Sequence, residues 1–198
     1  MLVPVNIGIL GGTFDPPHIA HLFAGQAAYE ELGLDIVHFI PAGAPWQKAD
    51  RNVSDAEHRL AMTRLACEGL PHFHVDDREM VRDGWTYTVD TLATFDPSDS
   101  LTLILGSDSA VGIESWERSA DVKAMARLGV MPRPGVDRRQ VEQAARGGEL
   151  VWLDTPQIYL SGTMLRQRVA RGQSIRFLVP DAVDHYIRAK ALYQDTSD

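Results

Sequence analysis

Two histidines follow a glycine-rich segment in the stretch GILGGTFDPPHIAHL near the amino terminus. Gly11 and Gly12 come directly after the apolar segment VNIGIL, and glycines, which lack Cβ atoms, let backbone N–H groups approach an anion closely. His18 and His21 are spaced i, i+3, so on a helix they project from one face. Three interpretations of the pair are open: a metal site, a structural pair in helix-capping or core hydrogen bonds, and a set of donors for a phosphate. HIAH differs from the HExxH metal motif, and no third ligand stands at a recognised spacing.

The segments that must position these residues alternate between strand and helix patterns. The predicted strands are Val5–Leu10, 35–43, 72–77, Leu101–Leu105, 126–133 and 149–153. The predicted helices are Ala20–Leu32, Ser54–Gly69, Thr88–Phe95, Asp137–Arg146, Gly162–Arg171 and Pro180–Tyr193, with a capping box at Ser54 and Glu57. The alternation indicates an α/β fold: a Rossmann-like parallel sheet with helices on both faces and a small C-terminal helical part. Such sheets bind ligands beyond the carboxyl ends of the strands.

Composition narrows the class of ligand. The chain has 198 residues and a net charge of −8. Its clustered arginines, Arg166, Arg168, Arg171 and Arg176 with the Arg138-Arg139 pair, are too few to indicate a nucleic-acid polymer but could serve a small phosphorylated ligand. No apolar run approaches the ~18 residues of a membrane span, and the amino terminus lacks the basic region of a signal peptide. The single cysteine, Cys67, cannot form an internal disulfide and is expected to be a buried thiol. We therefore expect a cytoplasmic protein with no membrane partner, whose oligomeric state, a homo-oligomer included, is open.

The histidine segment resembles the signature GxFDPxHxGH of the HIGH-type nucleotidyltransferases. The match covers Gly11, Thr13, Phe14, Asp15, Pro16, His18 and His21, and the sequence departs at Ala20, where the family usually has glycine. In that family the histidine pair holds ATP phosphates. The resemblance therefore implies that ATP is bound by Gly11, Gly12, Thr13, Phe14, His18 and His21.

A second stretch, YLSGTMLRQRVARG, resembles the ISSTxxR signature of the same superfamily. Ser161, Thr163 and Arg166 match, while Leu160 and Gly162 replace the usual isoleucine and serine. Ser161 can cap the helix and offer its hydroxyl to an anion, and Arg166, one turn later, can reach a phosphate with its planar fork. The alternative is an ordinary capped helix with surface arginines. The resemblance implies that Ser161, Thr163 and Arg166 bind ATP.

Further stretches resemble one member family, the nicotinate-nucleotide adenylyltransferases. IPAGAPWQK resembles the IPxxxPPHK loop, with Trp46 and Gln47 as departures, and implies a substrate contact at Lys48. WTYTVDTL resembles SYTxxTL, which implies that Thr86, Tyr87 and Thr88 hold a nicotinate carboxylate; simple helix capping is the alternative. ILGSDS resembles the I(I/L)GxDS strand end of the family, which implies nucleotide contacts at Gly106 and Asp108. Ser115-Trp116 resembles its TW element, which implies that Trp116 stacks on the pyridine ring rather than lying in the core. The RPG that contains Arg133 also resembles the family, which implies that Arg133 binds substrate.

This resemblance implies an enzyme of NAD biosynthesis, which joins ATP and nicotinate mononucleotide to give deamido-NAD and pyrophosphate. His18, His21 and Arg166 would be catalytic, and Mg²⁺ would arrive with ATP, because the sequence offers no dedicated carboxylate cage. We expect a single nucleotidyltransferase domain over residues 1–198, in which residues 158–198 form a C-terminal helical subregion that carries the second motif. Two alternatives stay open: another HIGH-type enzyme, such as a pantetheine-phosphate adenylyltransferase, and a nucleotide-binding module without activity. A HIGH-type synthetase fragment is disfavoured by the short chain without a KMSKS-like stretch.

Overall fold

Six parallel strands form the central sheet of the protein. The computed structural model describes residues 3–43, 53–82, 84–156 and 158–194. The strands are β1 (Asn6–Gly12), β2 (Ile36–Pro41), β3 (Phe73–Val75), β4 (Ser100–Gly106), β5 (Arg127–Met131) and β6 (Leu150–Trp152). They lie in the order β3-β2-β1-β4-β5-β6, and each pair of neighbours is parallel. This is the Rossmann-like parallel sheet that the sequence predicted. The strand order shows that the chain reverses its direction of winding between β1 and β4.

Helices connect the strands, as parallel pairing requires. They are α1 (Ile19–Glu31), α2 (Ala56–Cys67), α3 (Thr88–Leu92), α4 (Ser107–Val111), α5 (Ser119–Met125), α6 (Arg138–Ala144), α7 (Gly162–Ala170) and α8 (Asp181–Ala189), with a 3-10 turn at Ile113–Ser115. None of the helices in the described ranges is long and apolar enough to cross a membrane.

The apolar residues of the strands pack against helices on both faces of the sheet. On one face Ile9, Leu103 and Leu128 lie in a cluster with side chains from α3 to α6, such as Val122 and Val141. On the opposite face Val37, Phe39 and Ile104 pack against α1 and the end of α2, where Cys67 is buried as predicted. Burial raises the pKa of the Cys67 thiol to about 12, so the thiol stays protonated.

A third cluster joins the C-terminal helices to the rest of the protein. Leu165 of α7 and Val183 and Ile187 of α8 pack with Ala20 of α1 and Met62 of α2. Leu165 and Val183 are completely buried. The C-terminal helical part therefore packs against α1, which follows the amino-terminal motif, and against α2.

The structure corrects two predictions of local structure. The capping box at Ser54 is wrong: α2 begins after Asp55, and Ser54 instead donates its backbone N–H to Asp15 Oδ2 at 3.1 Å. The sequence predicts no element over residues 107–125, where α4, the 3-10 turn and α5 lie. These elements are too short to produce a clear helical period, which explains the omission.

Replacement of Leu165 tests how α7 is held. Because Leu165 is fully buried, Leu165→Ala should lower the free energy of unfolding by about 2–5 kcal/mol, the range for deleting a large aliphatic side chain from a core. Met164, the preceding residue, is 37% exposed, and Met164→Ala should change the same quantity by about 0.5 kcal/mol. Urea denaturation measures both, and equal losses would contradict the packing of α7 described above.

Candidate active site

The first motif forms a turn between β1 and α1 at the carboxyl end of the sheet. β1 ends at Gly12, which pairs in register with Pro41 at the end of β2. Phe14 follows with φ of 50°, a left-handed conformation that bulky residues rarely adopt. Its ring is buried, 5.9 Å from the ring centre of Phe39 and 5.0 Å from that of His21. Core packing of one aromatic side chain thus holds the turn in place.

The two histidines stack on each other at the start of α1. His18 is the N-cap residue of the helix and His21 its third residue. Their ring centres are 3.6 Å apart with an interplanar angle of 18°. The backbone N–H of His18 donates to Nδ1 of His21 at 3.2 Å, which leaves the proton of a neutral His21 ring on Nε2. The predicted spacing therefore does bring both imidazoles together.

His18 is buried, and its environment keeps it neutral. The side chain is 2% exposed, and burial together with the positive charge of Arg133 lowers its pKa to about 4. The His18 ring lies beside the backbone N–H of His21 in a capping-box arrangement at the start of α1, although its Nδ1 makes no hydrogen bond of full geometry within the described residues.

The second motif reaches the first through Arg166. Ser161 caps α7 by accepting the N–H of Met164 at 3.3 Å, as predicted. Arg166 Nη1 donates to the backbone carbonyl of Asp15 at 2.8 Å, and Nη2 donates to Thr163 Oγ1 at 3.3 Å. A Cβ at Gly162 would lie 2.7 Å from that same carbonyl oxygen, so the glycine that replaces the usual serine lets α7 approach the turn closely.

A cavity of about 750 Å³ opens between the two motifs. Its volume lies in the range of small-ligand sites. All eleven residues predicted to bind ATP line it: Gly11, Gly12, Thr13, Phe14, His18, His21, Gly106, Asp108, Ser161, Thr163 and Arg166. The structure therefore gathers both motifs and the end of β4 around one space.

A smaller cavity of about 230 Å³ adjoins the first on the other side of the glycine turn. Thr86, Tyr87, Thr88 and Trp116 line it, as the predicted substrate role requires. Trp116 is half-buried and also packs against the core. It therefore lies both on the cavity, as a stacking role requires, and against the core, as the alternative has it. The two cavities share wall residues, namely Gly11, Gly12, Thr13, Leu105 and Ser109.

The described wall of the smaller cavity differs from the predicted set of contacts in two respects. Arg133 does not line it; its side chain lies on the larger cavity and donates to the carbonyl of Ile158 at 3.2 Å. Two carboxylates that the motif search did not single out do line it, Glu79 and Glu117. Glu79 accepts a hydrogen bond from Thr91 Oγ1 at 2.6 Å. Lys48, the remaining predicted contact, lies outside the described residues.

The sequence analysis also missed Arg59, a buried arginine behind the turn. Its side chain lies on α2, is 2% exposed and donates to four backbone carbonyls, of Thr13, Ala42, Gly43 and Ser54, at 2.6–3.1 Å. These carbonyls belong to the turn after β1, the segment after β2 and the start of α2. An arginine one turn into an amphipathic helix has the same pattern as an exposed one, so no signal in a single sequence distinguishes it.

One group in the described residues has the composition of a metal site, at the edge of the sheet. Ligand atoms of His38, His74 and Asp76 lie within 4.8 Å of one another. Asp76 is already bound by His38 Nδ1 at 3.0 Å and by Arg78 Nε at 2.8 Å, and these donors hold its pKa well below the usual range. None of the three residues lines either cavity. A guanidinium in contact with the carboxylate opposes a second cation there, so we interpret the group as an ion-pair network of the sheet edge.

The family model described as cytidylyltransferase-like matches residues 9–168, which defines the class of this protein. Relatives of nearly the same length narrow the class. One from Dehalococcoides mccartyi is 37% identical over 97% of this chain and 98% of its own, and one from a Roseiflexus species is 41% identical over 95% and 98%. Both are named probable nicotinate-nucleotide adenylyltransferase. The chain belongs to the nicotinate-nucleotide adenylyltransferase family.

Solved structures show the same fold. The nicotinic acid mononucleotide adenylyltransferase of Plasmodium falciparum, in complex with NaAD, aligns with a TM-score of 0.81 at 19% identity, over 96% of this chain and 97% of that one. A nicotinate-nucleotide adenylyltransferase structure from Vibrio parahaemolyticus, titled as putative, aligns with a TM-score of 0.69 at 15% identity, over 97% of both chains. At these identities the likeness concerns the fold.

The neutral state of His18 makes a prediction about acid stability. The folded pKa, about 4, lies below the unfolded value of 6.5, so the unfolded chain binds more protons between these two pH values. Stability contributed by the neutral ring is therefore complete above pH 6.5 and is lost as the pH falls. We expect the free energy of unfolding of the wild type, relative to His18→Asn, to fall by about 3 kcal/mol between pH 6.5 and pH 4. Denaturant titrations at several pH values measure this difference, and a difference that does not change with pH would contradict a neutral, buried His18.

Proposed function

We propose that this protein transfers the adenylyl group of ATP to nicotinate mononucleotide, which gives deamido-NAD and pyrophosphate. The observation that carries the proposal is the wall shared by the two cavities, Gly11 to Thr13. A ligand in each cavity would bring its reacting phosphate to the same glycine turn. The names of the full-length relatives support this pair of substrates.

We place ATP in the larger cavity because the hydrogen-bond donors on its wall suit a triphosphate. The turn after β1 offers backbone N–H groups, and the start of α1 offers two imidazoles and the positive end of a helix dipole. Ser161, Thr163 and Arg166 face them from α7 across the cavity. We assign catalytic roles to His18, His21 and Arg166, and nucleotide contacts to Gly106 and Asp108. In this proposal residues 1–198 act as one nucleotidyltransferase unit, since residues 158–198 carry the second half of the phosphate site.

We place the nicotinate ring of the mononucleotide in the smaller cavity, with its phosphate at the wall shared with the larger one. The indole of Trp116 offers a face for the pyridine ring. Backbone and hydroxyl groups at Thr86, Tyr87 and Thr88 would hold the carboxylate. The carboxylate of Glu79 accepts a hydrogen bond from the hydroxyl of Thr91, so one of its oxygens is bound within the protein. Lys48 remains a proposed contact, and Arg133 is reassigned to the side of ATP.

The reaction needs little acid–base chemistry from the protein. An oxygen of the 5′-phosphate of the mononucleotide forms a bond to the α-phosphorus of ATP, and the bond from that phosphorus to the bridging oxygen breaks. Pyrophosphate leaves with the electron pair. The attacking group is already an anion, so no general base is required. Catalysis then consists of positioning and of stabilising the charge that develops on the phosphoryl oxygens. A neutral His18 and the Nε2 proton of His21 contribute as hydrogen-bond donors.

A divalent cation fits this site as a companion of ATP. The described wall of the larger cavity contains two aspartates, and the carboxylate of Asp15 is already bound by Tyr193 and Ser54. Asp108 is the carboxylate that would hold Mg²⁺. One carboxylate suits an ion whose other ligands are phosphate oxygens and water. When bound, the ion would neutralise charge on the phosphates.

The choice of mononucleotide tests the proposal. Pyrophosphate release should require ATP together with nicotinate mononucleotide, and the amide mononucleotide should react with a kcat/KM roughly 5- to 150-fold lower. The reason is that an amide NH₂ facing donors leaves polar groups unpaired, at a cost of about 1–3 kcal/mol. Equal kcat/KM for acid and amide would overturn the assignment of Thr86 to Thr88. Turnover only with pantetheine phosphate would favour the alternative enzyme, and ATP binding without turnover a module without activity.

Trp116→Ala provides a second measurement within the same test. It should raise the KM for the mononucleotide far more than the KM for ATP, because only the smaller cavity contains this side chain. Trp85→Ala is a matched control: Trp85 is 50% exposed and lines neither cavity. An equal rise of both KM values in Trp116→Ala would contradict a stacking role.

The histidine pair makes a separate kinetic prediction. His21→Ala should lower kcat by on the order of 10²-fold or more, the scale for the loss of one preorganised donor to a transition state. The free energy of unfolding should fall by about 0.5–2 kcal/mol, because Nδ1 of His21 accepts the backbone N–H of His18 at the start of α1; kcat is therefore measured under conditions in which the variant is folded. His185, an exposed histidine on α8, provides the control variant His185→Ala, for which we expect normal turnover. Near-normal turnover of His21→Ala would contradict a phosphate role for the pair.

A further inference from the structure

The side chain of Asp15 is a buried carboxylate that lies between the two phosphate motifs. It is 4% exposed as a residue. Oδ1 accepts the hydroxyl of Tyr193 at 2.5 Å, and Oδ2 accepts the backbone N–H of Ser54 at 3.1 Å. Arg166 Nη1 lies 3.8 Å from Oδ2, beyond hydrogen-bond distance. Two neutral donors, rather than the nearby guanidinium, therefore satisfy this carboxylate.

Arg166 is correspondingly only loosely held. Its hydrogen bonds go to neutral oxygens, the carbonyl of Asp15 and the hydroxyl of Thr163. The side chain is 28% exposed and lines the larger cavity. Arginine and carboxylate favour close, paired hydrogen bonds when nothing intervenes. The 3.8 Å between Arg166 Nη1 and Asp15 Oδ2 thus coincides with two other donors to the carboxylate, the backbone N–H of Ser54 and the hydroxyl of Tyr193.

Another cation nearby cannot take the place of these donors. Arg59 lies close enough to influence Asp15 electrostatically, but its guanidinium is fixed on four backbone carbonyls. Of the two arginines that interact with Asp15 in the described part of the chain, Arg59 is buried, whereas Arg166 has exposed surface and lies 3.8 Å from Oδ2. A change in the donors to Asp15 is therefore expected to act on Arg166.

A turn after α8 brings Tyr193 to this position. The helix ends at Ala189, and Ala191 and Tyr193 then adopt left-handed conformations with φ of 51° and 62°. The N–H of Leu192 donates to the carbonyl of Ile187 at 3.0 Å. Tyr193 packs on the third apolar cluster. Burial and the charge of Asp15 raise the pKa of Tyr193, so its hydroxyl remains a donor at neutral pH. Left-handed conformations are sparsely populated by residues other than glycine, and here tertiary contacts compensate for them.

We propose that Tyr193 is a positioning residue for Arg166: its hydroxyl occupies the carboxylate of Asp15, so that the guanidinium stays available to the phosphates of ATP. This inference rests on the proposed function, in which Arg166 contacts those phosphates. Without the hydroxyl, Asp15 lacks one donor, Arg166 closes the remaining distance to Oδ2, and the cavity loses its cation.

Tyr193→Phe tests this inference, because it removes one oxygen atom and keeps the aromatic ring. Calorimetry with MgATP alone should give a Kd roughly 3- to 10-fold higher than that of the wild type, the size of one hydrogen bond. The KM for nicotinate mononucleotide should stay within about 2-fold, which is about 0.3 of the energy of a tenfold change in affinity on that scale. Tyr186→Phe is the matched control on α8: it removes a hydroxyl that lies 2.9 Å from His58 Nδ1, and the Kd for MgATP should not change.

Two further variants identify the path of the effect. In an Arg166→Ala background, Tyr193→Phe should produce no additional change in the Kd for MgATP. The double variant Tyr193→Phe with Asp15→Asn should recover most of the lost affinity, because a neutral amide does not draw the guanidinium in.

Several results would overturn the inference. One is an unchanged Kd in Tyr193→Phe, with or without a lower melting temperature; others are equal losses for both substrates, or the same loss in the Arg166→Ala background. Failure of these tests would leave the proposed function intact if the wild type still releases pyrophosphate from ATP and nicotinate mononucleotide. A wild type that does not bind MgATP would overturn both.

Discussion

A single buried guanidinium fixes the edge of the sheet at which both cavities open. Arg59 donates to carbonyls from three separate segments: the turn that contains Thr13, the segment Ala42–Gly43, and Ser54, two residues before α2. Loops at the end of a sheet carry carbonyls that neighbouring strands do not satisfy, and a planar group with five donors can satisfy several at once. Burial lowers the pKa of Arg59, and the charge of Asp15 opposes that shift. The geometry of the glycine turn and of the segment after β2 thus depends on one side chain.

The order of the strands explains why the site forms there. β1 has β2 on one side and β4 on the other, so the connections leave its carboxyl end in opposite directions. A crevice opens at such a point. The turn after β1 lines this crevice, the end of β4 contributes Gly106 and Asp108 to its wall, and α7 contributes Arg166. The chain therefore brings residues 11 and 166 together although more than 150 residues separate them.

Much of this arrangement could be predicted from the sequence, for a physical reason. The motif residues include glycines, histidines and an arginine on a helix capped by Ser161. Their chemistry is specific, and their local structure depends on neighbours in the chain. All eleven predicted residues of the ATP cavity accordingly lie on its wall. Residues whose role depends on distant contacts were not found: Arg59, Glu79 and Tyr193 resemble ordinary polar residues of helices and loops until the fold shows their partners. Arg133, predicted as a substrate contact, lies on the larger cavity; its position after β5 does not tell which way a long side chain turns.

The shared wall of the two cavities has a consequence for the end of the reaction cycle. On the proposed function, each substrate occupies one cavity and can leave it independently. The product joins both halves in one molecule, so its contacts in the two cavities act as a bivalent ligand, and when one half detaches the other keeps it at a high effective concentration. The covalent bond that the protein makes is thus also a tether across Gly11 to Thr13. Departure of the dinucleotide is the step that this architecture slows, and a rise in cellular product would occupy both cavities at once.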